Sequence, residues 1–170
     1  MKTQNTVRGL LLATVLGVSL SLMGCPTAQK KPDTEAAAPT APSVDENANQ
    51  MGDSDSGKAM GLQTIHFGYD SFVLEEGEKA NLKANAEIMK QNPGLKVQIE
   101  GHCDNRGGIQ YNIALGEKRA NGVKKHLEAM GIAGDRITTI SYGKERPIDP
   151  GATEAAFAKN RRANFAVTGK

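Results

Sequence analysis

The sequence contains no tryptophan, and only 4% of its residues are aromatic. Cysteine is also scarce, since Cys25 and Cys103 are the only two in 170 residues. Two cysteines cannot build a disulfide scaffold, so a folded domain in this chain must be held together by its hydrophobic core. The three histidines, His66, His102 and His126, lack the close i, i+4 spacing of helical zinc ligands. We therefore predict neither a disulfide framework nor a metal site.

Charge of either sign is nearly balanced, with a formal net charge of +2 on the whole chain. Two cations, Lys2 and Arg8, precede an apolar run from Gly9 to Leu20, which is the layout of a secretory signal. That run is shorter than the about 20 apolar residues that a membrane-spanning helix needs. Without Lys2 and Arg8 the net charge falls to zero, which is too small to attract nucleic acid. The sequence therefore predicts export and no nucleic-acid partner.

The tetrapeptide Leu22–Cys25 resembles the bacterial lipobox, in which the cysteine becomes the new N-terminus and carries diacylglycerol. We therefore predict a lipoprotein signal peptide over residues 1–24 and lipidation of Cys25. Covalent diacylglycerol and an acyl chain on this cysteine are expected, and no other cofactor. An ordinary signal peptide with a chance cysteine is the alternative. If Cys25 is lipidated, Cys103 has no partner within the chain.

Residues 25–60 are rich in Pro, Ala, Asp and Ser and show no apolar periodicity. Such a composition cannot bury enough apolar surface to offset the entropy of the chain. We expect a disordered tether there, which as a flexible coil would span about 30–35 Å on average. Apolar periodicity starts after this segment, and residues 61–170 are predicted to form a single domain.

Within residues 61–170 the apolar pattern alternates between the strand period and the helix period. The predicted elements are strands at Gln63–Phe67, Leu95–Glu100, Arg136–Tyr142 and Ala163–Val167, and helices at Glu75–Gln91, Asn112–Met130 and Thr153–Lys159. Pro93-Gly94 and Gly131 mark the ends of the first two helices. This β-α-β-α-β-α-β order predicts an α+β fold, with helices packed on a small mixed four-stranded sheet.

The helix predicted at Asn112–Met130 is amphipathic, and its apolar stripe includes Leu115 and Val123. Arg119 lies inside this stripe, where a guanidinium that cannot lose its charge must find an anion or reach water. Gly116 costs about 1 kcal/mol relative to alanine in a helix interior. Its presence is explained if another group comes close to the helix backbone.

The loop before this helix, Gly101–Gln110, contains two adjacent glycines and Asp104. It leaves the end of a strand and feeds a helix N-terminus, where backbone N–H groups favour anions. Asp104 and Arg119 could together bind a zwitterion, the aspartate taking an ammonium and the arginine a carboxylate. The alternatives are an aspartate that only forms a turn and an arginine that pairs inside the protein.

Several segments of the folded part match one known family in order and spacing. They are Phe67–Asp70, Glu100–Asp104, Tyr111–Gly116 with Arg119–Ala120, Ser141–Gly143 and Asn160–Arg162. In these segments the chain resembles the OmpA-like peptidoglycan-binding domains, and closely those of the peptidoglycan-associated lipoproteins. The resemblance implies that the ligand is the diaminopimelate residue of the peptidoglycan stem peptide. It also implies that Asp104 and Arg119 hold this residue.

The resemblance extends to further residues. Asp70, Arg106 and Leu115 match positions near the ligand, although a loop-entry aspartate, a solvated arginine and core packing explain them as well. The residues that match the structural motif of the family are Asn112, Gly116, Asn160, Arg161 and Arg162. Cys103 departs from the family, which usually has threonine at this position. A thiol is a weaker hydrogen-bond donor than a hydroxyl, so the ligand contacts at Cys103 stay open.

Two other functions compete with wall binding. An enzyme that cleaves the wall would need a nucleophile beside a base, or a metal. His102, Cys103 and Asp104 are consecutive, so their side chains point apart and we predict no enzyme. The other alternative is a protein adaptor independent of Tol, whereas the family implies binding to TolB, and to other Tol components, in envelope integrity and cell division. The predicted location is the outer membrane, with Cys25 as the lipid anchor and the domain facing the periplasm.

Overall fold

The computed structural model describes residues 51–170. The predicted signal peptide, Cys25 and residues 25–50 of the predicted tether lie outside the described residues. The elements are β1 (Ile65–His66), α1 (Glu76–Gln91), β2 (Lys96–His102), α2 (Ile109–Ala129), β3 (Ile137–Gly143), α3 (Glu154–Asn160) and β4 (Arg162–Gly169). Their order confirms the predicted alternation of strands and helices. None of the helices within residues 51–170 has the length and apolar character of a membrane span.

The four strands form one sheet in the order β1-β4-β2-β3. β4 lies antiparallel to both β1 and β2, whereas β2 and β3 run parallel. The parallel pair is connected through α2, as parallel neighbours require a crossover rather than a tight turn. The predicted mixed four-stranded sheet and α+β class are therefore confirmed.

The hydrophobic core lies between one face of the sheet and helices α1 and α2. The strands contribute alternate buried residues to this face, among them Val97, Ile99, Phe165 and Val167. The helices contribute Leu82, Ala86 and Met89 from α1, and Ala120, Val123 and Leu127 from α2. Burial of apolar surface at about 25 cal/mol per Å² is the main term that fixes both helices on the sheet.

Helix α2 approaches the sheet closely at Gly116. A Cβ atom at this position would collide with Oγ of Ser141 on β3 and with the carbonyl of Gly101 on β2. A Cβ atom on Gly101 would in turn collide with the carbonyl of Gly116. The two facing glycines let the helix backbone lie against the strands. The predicted close approach at Gly116 is confirmed, and it sets the position of Arg119 one turn further along α2.

Residues 51–60 belong to the folded domain, so the predicted domain start at residue 61 is too late. The N–H of Ser54 donates to the carbonyl of Phe165 at 3.0 Å, and Ala59 is fully buried in the core. The segment lies along β4 on the same side as β1. Its polar composition does not reveal this placement, because hydrogen bonds of the backbone and of the Ser54 and Asp55 side chains make the contact with β4.

The loop that precedes α2 is shorter than predicted. Gly101 and His102 still pair with β3 and extend β2, and α2 already begins at Ile109. Only residues 103–108 connect the two elements, which keeps Asp104 close to the sheet.

Candidate functional site

A cavity of about 120 Å³ opens at the end of the sheet, where β2 runs into the loop 103–108. Its lining consists of Tyr69, Asp70, Cys103, Asp104, Arg106, Gly107, Tyr111, Asn112, Leu115, Arg119 and Arg161. The lining includes all five residues predicted to bind the ligand, which are Asp104, Arg119, Asp70, Arg106 and Leu115. The structure thus brings together side chains from the loop after β1, the loop before α2, α2 itself and the end of α3.

Arg119 reaches the cavity from the core side of α2 and is only 1% exposed. Its Nε donates to the carbonyl of Ser71 at 2.8 Å. Its Nη1 donates to the carbonyl of His102 at 2.8 Å and to Sγ of Cys103 at 3.4 Å. Its Nη2 makes a longer bond of 3.3 Å to the carbonyl of Gly68. The guanidinium therefore joins the loop after β1 to the loop after β2.

All of these acceptors are neutral groups. Within residues 51–170 no carboxylate forms an ion pair with Arg119. Burial lowers the pKa of Arg119, as expected for a cation that is removed from water without an anion beside it. An unpaired buried charge costs several kcal/mol. The site therefore lacks one negative charge, which a ligand carboxylate can supply.

Asp104 is also buried, and its carboxylate is fully paired. Oδ1 accepts from the backbone N–H and from Nε of Arg106, at 3.1 and 3.2 Å. Oδ2 accepts from Nη2 of Arg106 at 2.6 Å and from Nη1 of Arg161 at 3.4 Å. Burial by itself raises the pKa of this carboxyl, but the hydrogen bonds from Arg106 outweigh that effect and hold the pKa below its usual value. The bond to the N–H two residues ahead is the turn contact typical of aspartate in a glycine-rich loop.

Arg106 lies between two aromatic rings. The carbon of its guanidinium is 4.1 Å from the ring centre of Tyr69 and 4.4 Å from that of Phe157. Its Nη1 is 3.4 Å from Oε2 of Glu154. The hydrogen bond to Asp104 raises the pKa of Arg106. The structure thus pairs two of the predicted binding residues with each other.

The rim of the cavity is aromatic. Asp70 lies in the loop after β1 with a backbone φ of 49°, in the left-handed region. Tyr111, in the first turn of α2, donates a hydrogen bond from its hydroxyl to Oδ1 of Asp70. Tyr69 and Tyr111 are both exposed, whereas Leu115 is buried and supplies an apolar wall. Asp104, Arg119 and Arg161 therefore lie deep in the site, whereas the two tyrosines and Asp70 lie at its mouth.

Two asparagines of the predicted structural motif hold the backbone near the site. Nδ2 of Asn112 donates to the carbonyls of Arg106 and Gly108, at 2.8 and 3.0 Å. The side chain of Asn160 bonds to the backbone of residues 148–149, both as acceptor and as donor. Both side chains satisfy backbone N–H or C=O groups of loops, which have no partner in a helix or a sheet.

Arg161 and Arg162, which follow each other after α3, differ in their contacts. Nε of Arg162 lies 2.7 Å from Oδ2 of Asp55, a residue that does not line the cavity. Nε of Arg161 donates to the carbonyl of Phe67 at 3.0 Å, next to β1, and its Nη1 reaches Asp104. Arg161 therefore combines the structural contact predicted for the motif with a place in the cavity.

Cys103 is buried, and burial raises the pKa of its thiol. The thiol donates to the carbonyl of Asn112 at 3.3 Å. A protonated, buried thiol is a weak nucleophile, which agrees with a packing role. Among residues 51–170, no three His, Cys, Asp or Glu side chains lie close enough together to hold a metal ion.

No ligand contact is predicted from the sequence for Tyr69, Tyr111 or Arg161, although all three line the cavity. A usable signal was present for the tyrosines. The chain has only three, and these two lie inside the matched segments, next to Asp70 and Asn112. Exposed aromatic side chains beside polar site residues are typical of binding surfaces.

Residues 66–161 match the family model described as OmpA family. The chain is 42% identical over 124 residues to the peptidoglycan-associated lipoprotein of Pasteurella multocida, covering 72% of this chain and 83% of that protein. It is 30% identical over 164 residues to the peptidoglycan-associated lipoprotein of Brucella melitensis, covering 93% of this chain and 92% of that protein.

A solved structure leads to the same family. The crystal structure of the peptidoglycan-associated lipoprotein from Burkholderia pseudomallei superimposes with a TM-score of 0.61 at 34% identity, covering 66% of this chain and 96% of that chain. The family model matches more than half of the sequence, and these relatives are matched over most of their own length. The chain therefore belongs to the OmpA family and, within it, to the peptidoglycan-associated lipoproteins.

Proposed function

We propose that this chain binds the diaminopimelate residue of peptidoglycan stem peptides non-covalently and so tethers the outer membrane to the cell wall. The observation that carries the proposal is Arg119, a buried cation whose described hydrogen-bond acceptors are all neutral. It lines the same cavity as Asp104. The side chain of diaminopimelate ends in an ammonium and a carboxylate, which suit Asp104 and Arg119 as charge-assisted partners.

The size of the cavity supports a side-chain end as the ligand group. Its volume of about 120 Å³ is below the range of about 300–1,000 Å³ that is typical of sites for whole small molecules. One charged side-chain terminus fits this volume, and the rest of the stem peptide would lie on the rim. Tyr69 and Tyr111 are exposed there and can contact it.

As a member of this family the chain is a lipoprotein and not an enzyme. Its proposed lipid anchor is Cys25, which lies outside the described residues. With residues 1–24 removed, diacylglycerol and an acyl chain on this cysteine would hold the protein in the outer membrane. The domain would then face the periplasm, where the wall lies.

Titration of the purified full chain with a stem peptide that contains diaminopimelate tests the proposal. We expect the wild type to bind and both Arg119→Ala and Asp104→Ala to lose binding, because loss of a buried charge-assisted contact costs about 2–5 kcal/mol. Lys125→Ala, which removes a cation of α2 outside the cavity lining, is the matched protein control. A stem peptide with lysine instead of diaminopimelate lacks the side-chain carboxylate and is the matched ligand control.

Thermal melts of each variant confirm that it is folded. A wild-type chain that does not bind the peptide would contradict the proposal. So would an Arg119→Ala variant that binds as well as the wild type, or equal binding of the lysine peptide.

The same domain is also proposed to bind TolB as part of the Tol-Pal system. A groove of about 650 Å³ between the segment 72–74 and α2 supports a protein contact. Phe72 and Val73 are 48% and 63% exposed there, and exposed apolar side chains with polar neighbours mark protein interaction sites. The alternative is an adaptor that acts independently of Tol.

Titration of purified TolB from the same organism separates these two roles. TolB should bind the wild type, and Val73→Asp should weaken that binding while stem-peptide affinity stays the same. No binding of TolB to a chain that still binds the stem peptide would favour the adaptor that is independent of Tol.

A further inference from the structure

The carboxylate of Asp104 has no free acceptor position. Its two oxygens accept three hydrogen bonds from Arg106 and one from Arg161, at 2.6–3.4 Å. A carboxylate offers about four acceptor positions, and all four are used. A ligand ammonium therefore reaches Asp104 only if one of these donors leaves.

Of the two arginines, Arg106 is the one that can move. The side chain of Arg161 is 9% exposed and is fixed by its bond to the carbonyl of Phe67. The side chain of Arg106 is 34% exposed. Its guanidinium carbon lies 4.1 Å from the ring centre of Tyr69 and 4.4 Å from that of Phe157, and cation–π contacts of this kind do not hold a guanidinium in one fixed position.

A second carboxylate is within reach of Arg106. Nε and Nη2 of Arg106 bond to Asp104. Its third nitrogen, Nη1, points away from that bond and lies 3.4 Å from Oε2 of Glu154. The side chain of Glu154 is 65% exposed and can adjust its position. Arg106 can therefore exchange one anionic partner for another without losing its charge compensation.

We infer that Arg106 occupies the ammonium subsite as an internal cation, and that a ligand ammonium replaces it at Asp104 while it shifts onto Glu154. This inference rests on the proposed function and describes how the same site selects its ligand. Glu154, for which the sequence predicts no role, is then a positioning residue that acts through Arg106.

The exchange makes the site selective for zwitterions. A simple amine gains Asp104 but must displace Arg106 with no second contact to offset that cost. A ligand with a carboxylate beside its ammonium also neutralises Arg119, which has no anionic partner within residues 51–170. Both charges of the ligand are then needed for binding.

Arg106→Gln tests the exchange in the full chain. Glutamine removes the cation but keeps a polar side chain between the two rings. We expect this variant to bind the diaminopimelate stem peptide about five- to tenfold more tightly, because no internal hydrogen bonds to a charged group must be broken first. We also expect it to bind cadaverine, an amine without a carboxylate, which the wild type should not bind. Unchanged or weaker binding of the stem peptide by the folded variant would overturn the inference.

Glu154→Gln tests the second half of the exchange. It should weaken stem-peptide binding about three- to tenfold, because the displaced Arg106 loses its charged acceptor. Glu154 also bonds to Arg161 at 2.8 Å, so the same change is made in the Arg106→Gln background. There the exchange predicts no effect of Glu154→Gln. If Glu154→Gln still weakens stem-peptide binding in the double variant, Glu154 acts through its bond to Arg161. That result would overturn its role in the exchange.

The two proposals fail in different ways. A wild-type chain that does not bind the stem peptide contradicts the proposed function. A wild type that binds, together with an Arg106→Gln variant that binds no better, contradicts only the exchange.

Discussion

Two buried arginines, Arg119 and Arg162, differ in how their charge is compensated. Arg162 is 3% exposed, and its Nε lies 2.7 Å from a carboxylate oxygen of Asp55. Arg119 is 1% exposed, and its described acceptors are carbonyls and a thiol. A buried cation costs several kcal/mol unless an anion accompanies it. Arg162 therefore stabilises the fold, whereas Arg119 is available to an anion from outside.

The surroundings of the two arginines show the same difference. Near Arg162 the polar groups bond to one another: the carboxylate partner also accepts from Thr64, Ser54 donates to Asn164, and Asn164 donates to Glu100, each at 2.8 Å. Within residues 51–170 the guanidinium of Arg119 makes no hydrogen bond to a charged group. Both arginines are buried, so burial alone does not identify a cation that binds a ligand. The lack of an anionic partner within the described residues distinguishes Arg119.

The largest effect is expected when Arg162 loses its carboxylate. Asp55→Ala leaves a buried guanidinium without an anion and should lower the free energy of unfolding by about 3–5 kcal/mol. Denaturant unfolding of the full chain measures this change, and stem-peptide affinity of the folded variant should stay the same. Asp53→Ala is the matched control, because the side chain of Asp53 accepts only from the exposed N–H of Ser56 among the described residues. Equal stability of the two variants would remove the contrast between the arginines.

A smaller effect concerns the helix that carries Arg119. Gly116→Ala places a methyl group against Oγ of Ser141 and the carbonyl of Gly101, and such overpacking costs about 1–3 kcal/mol. It should also move Arg119 and weaken peptide binding. Gly122→Ala on the same helix meets nothing nearer than 4.0 Å and should stabilise by up to about 1 kcal/mol. Thermal unfolding should therefore show shifts of opposite sign, and a stabilising Gly116→Ala would contradict the close approach of α2.

The order of the elements and the unusual place of Arg119 could be predicted from the sequence, because both depend on local periodicity. Apolar residues at spacings of two or of three and four define which face of a strand or helix is buried. A cation inside the apolar stripe of a helix is visible in the same pattern. Gly116 could be predicted for a related reason, since glycine in a helix interior is unfavourable unless space requires it.

The pairing of charged side chains could not be predicted, because it depends on their positions in the folded protein and not on local periodicity. Arg162 pairs with Asp55, which is 107 residues away. Arg106 matches the family as a ligand contact. Asp104 is only two residues away, but this spacing alone does not show that the two side chains face each other in the folded loop. Residues 51–60 join the sheet through hydrogen bonds of the backbone and of polar side chains, which leave no apolar periodicity to detect.

His102 lies between the surroundings of Arg119 and those of Arg162. Its carbonyl accepts from Arg119 at 2.8 Å, whereas Nε2 of its ring faces Glu100 at 3.6 Å, too far for a hydrogen bond. Within the described residues neither ring nitrogen has a hydrogen-bond partner. Burial lowers the pKa of His102 below its ordinary value of 6.5, Glu100 acts in the opposite direction, and the charge of Arg162 lowers the pKa further.

The smallest effect is therefore expected from mild acid. Because the pKa of His102 is lower in the folded state, the unfolded state binds more protons once the pH falls below 6.5. Stability is complete above this pH and decreases as the pH falls toward the folded pKa. Melting temperatures between about pH 7.5 and 5.5 should decrease for the wild type but stay nearly constant for His102→Asn, which cannot titrate in this range. The carboxyl of Asp104 has a folded pKa below 3.8 and does not contribute here. Parallel pH profiles for the two proteins would mean that His102 can be protonated in the folded protein, so that the region around Arg162 holds a second cation. The negative charge of that region would then not be matched by Arg162 alone, contrary to the comparison with Arg119.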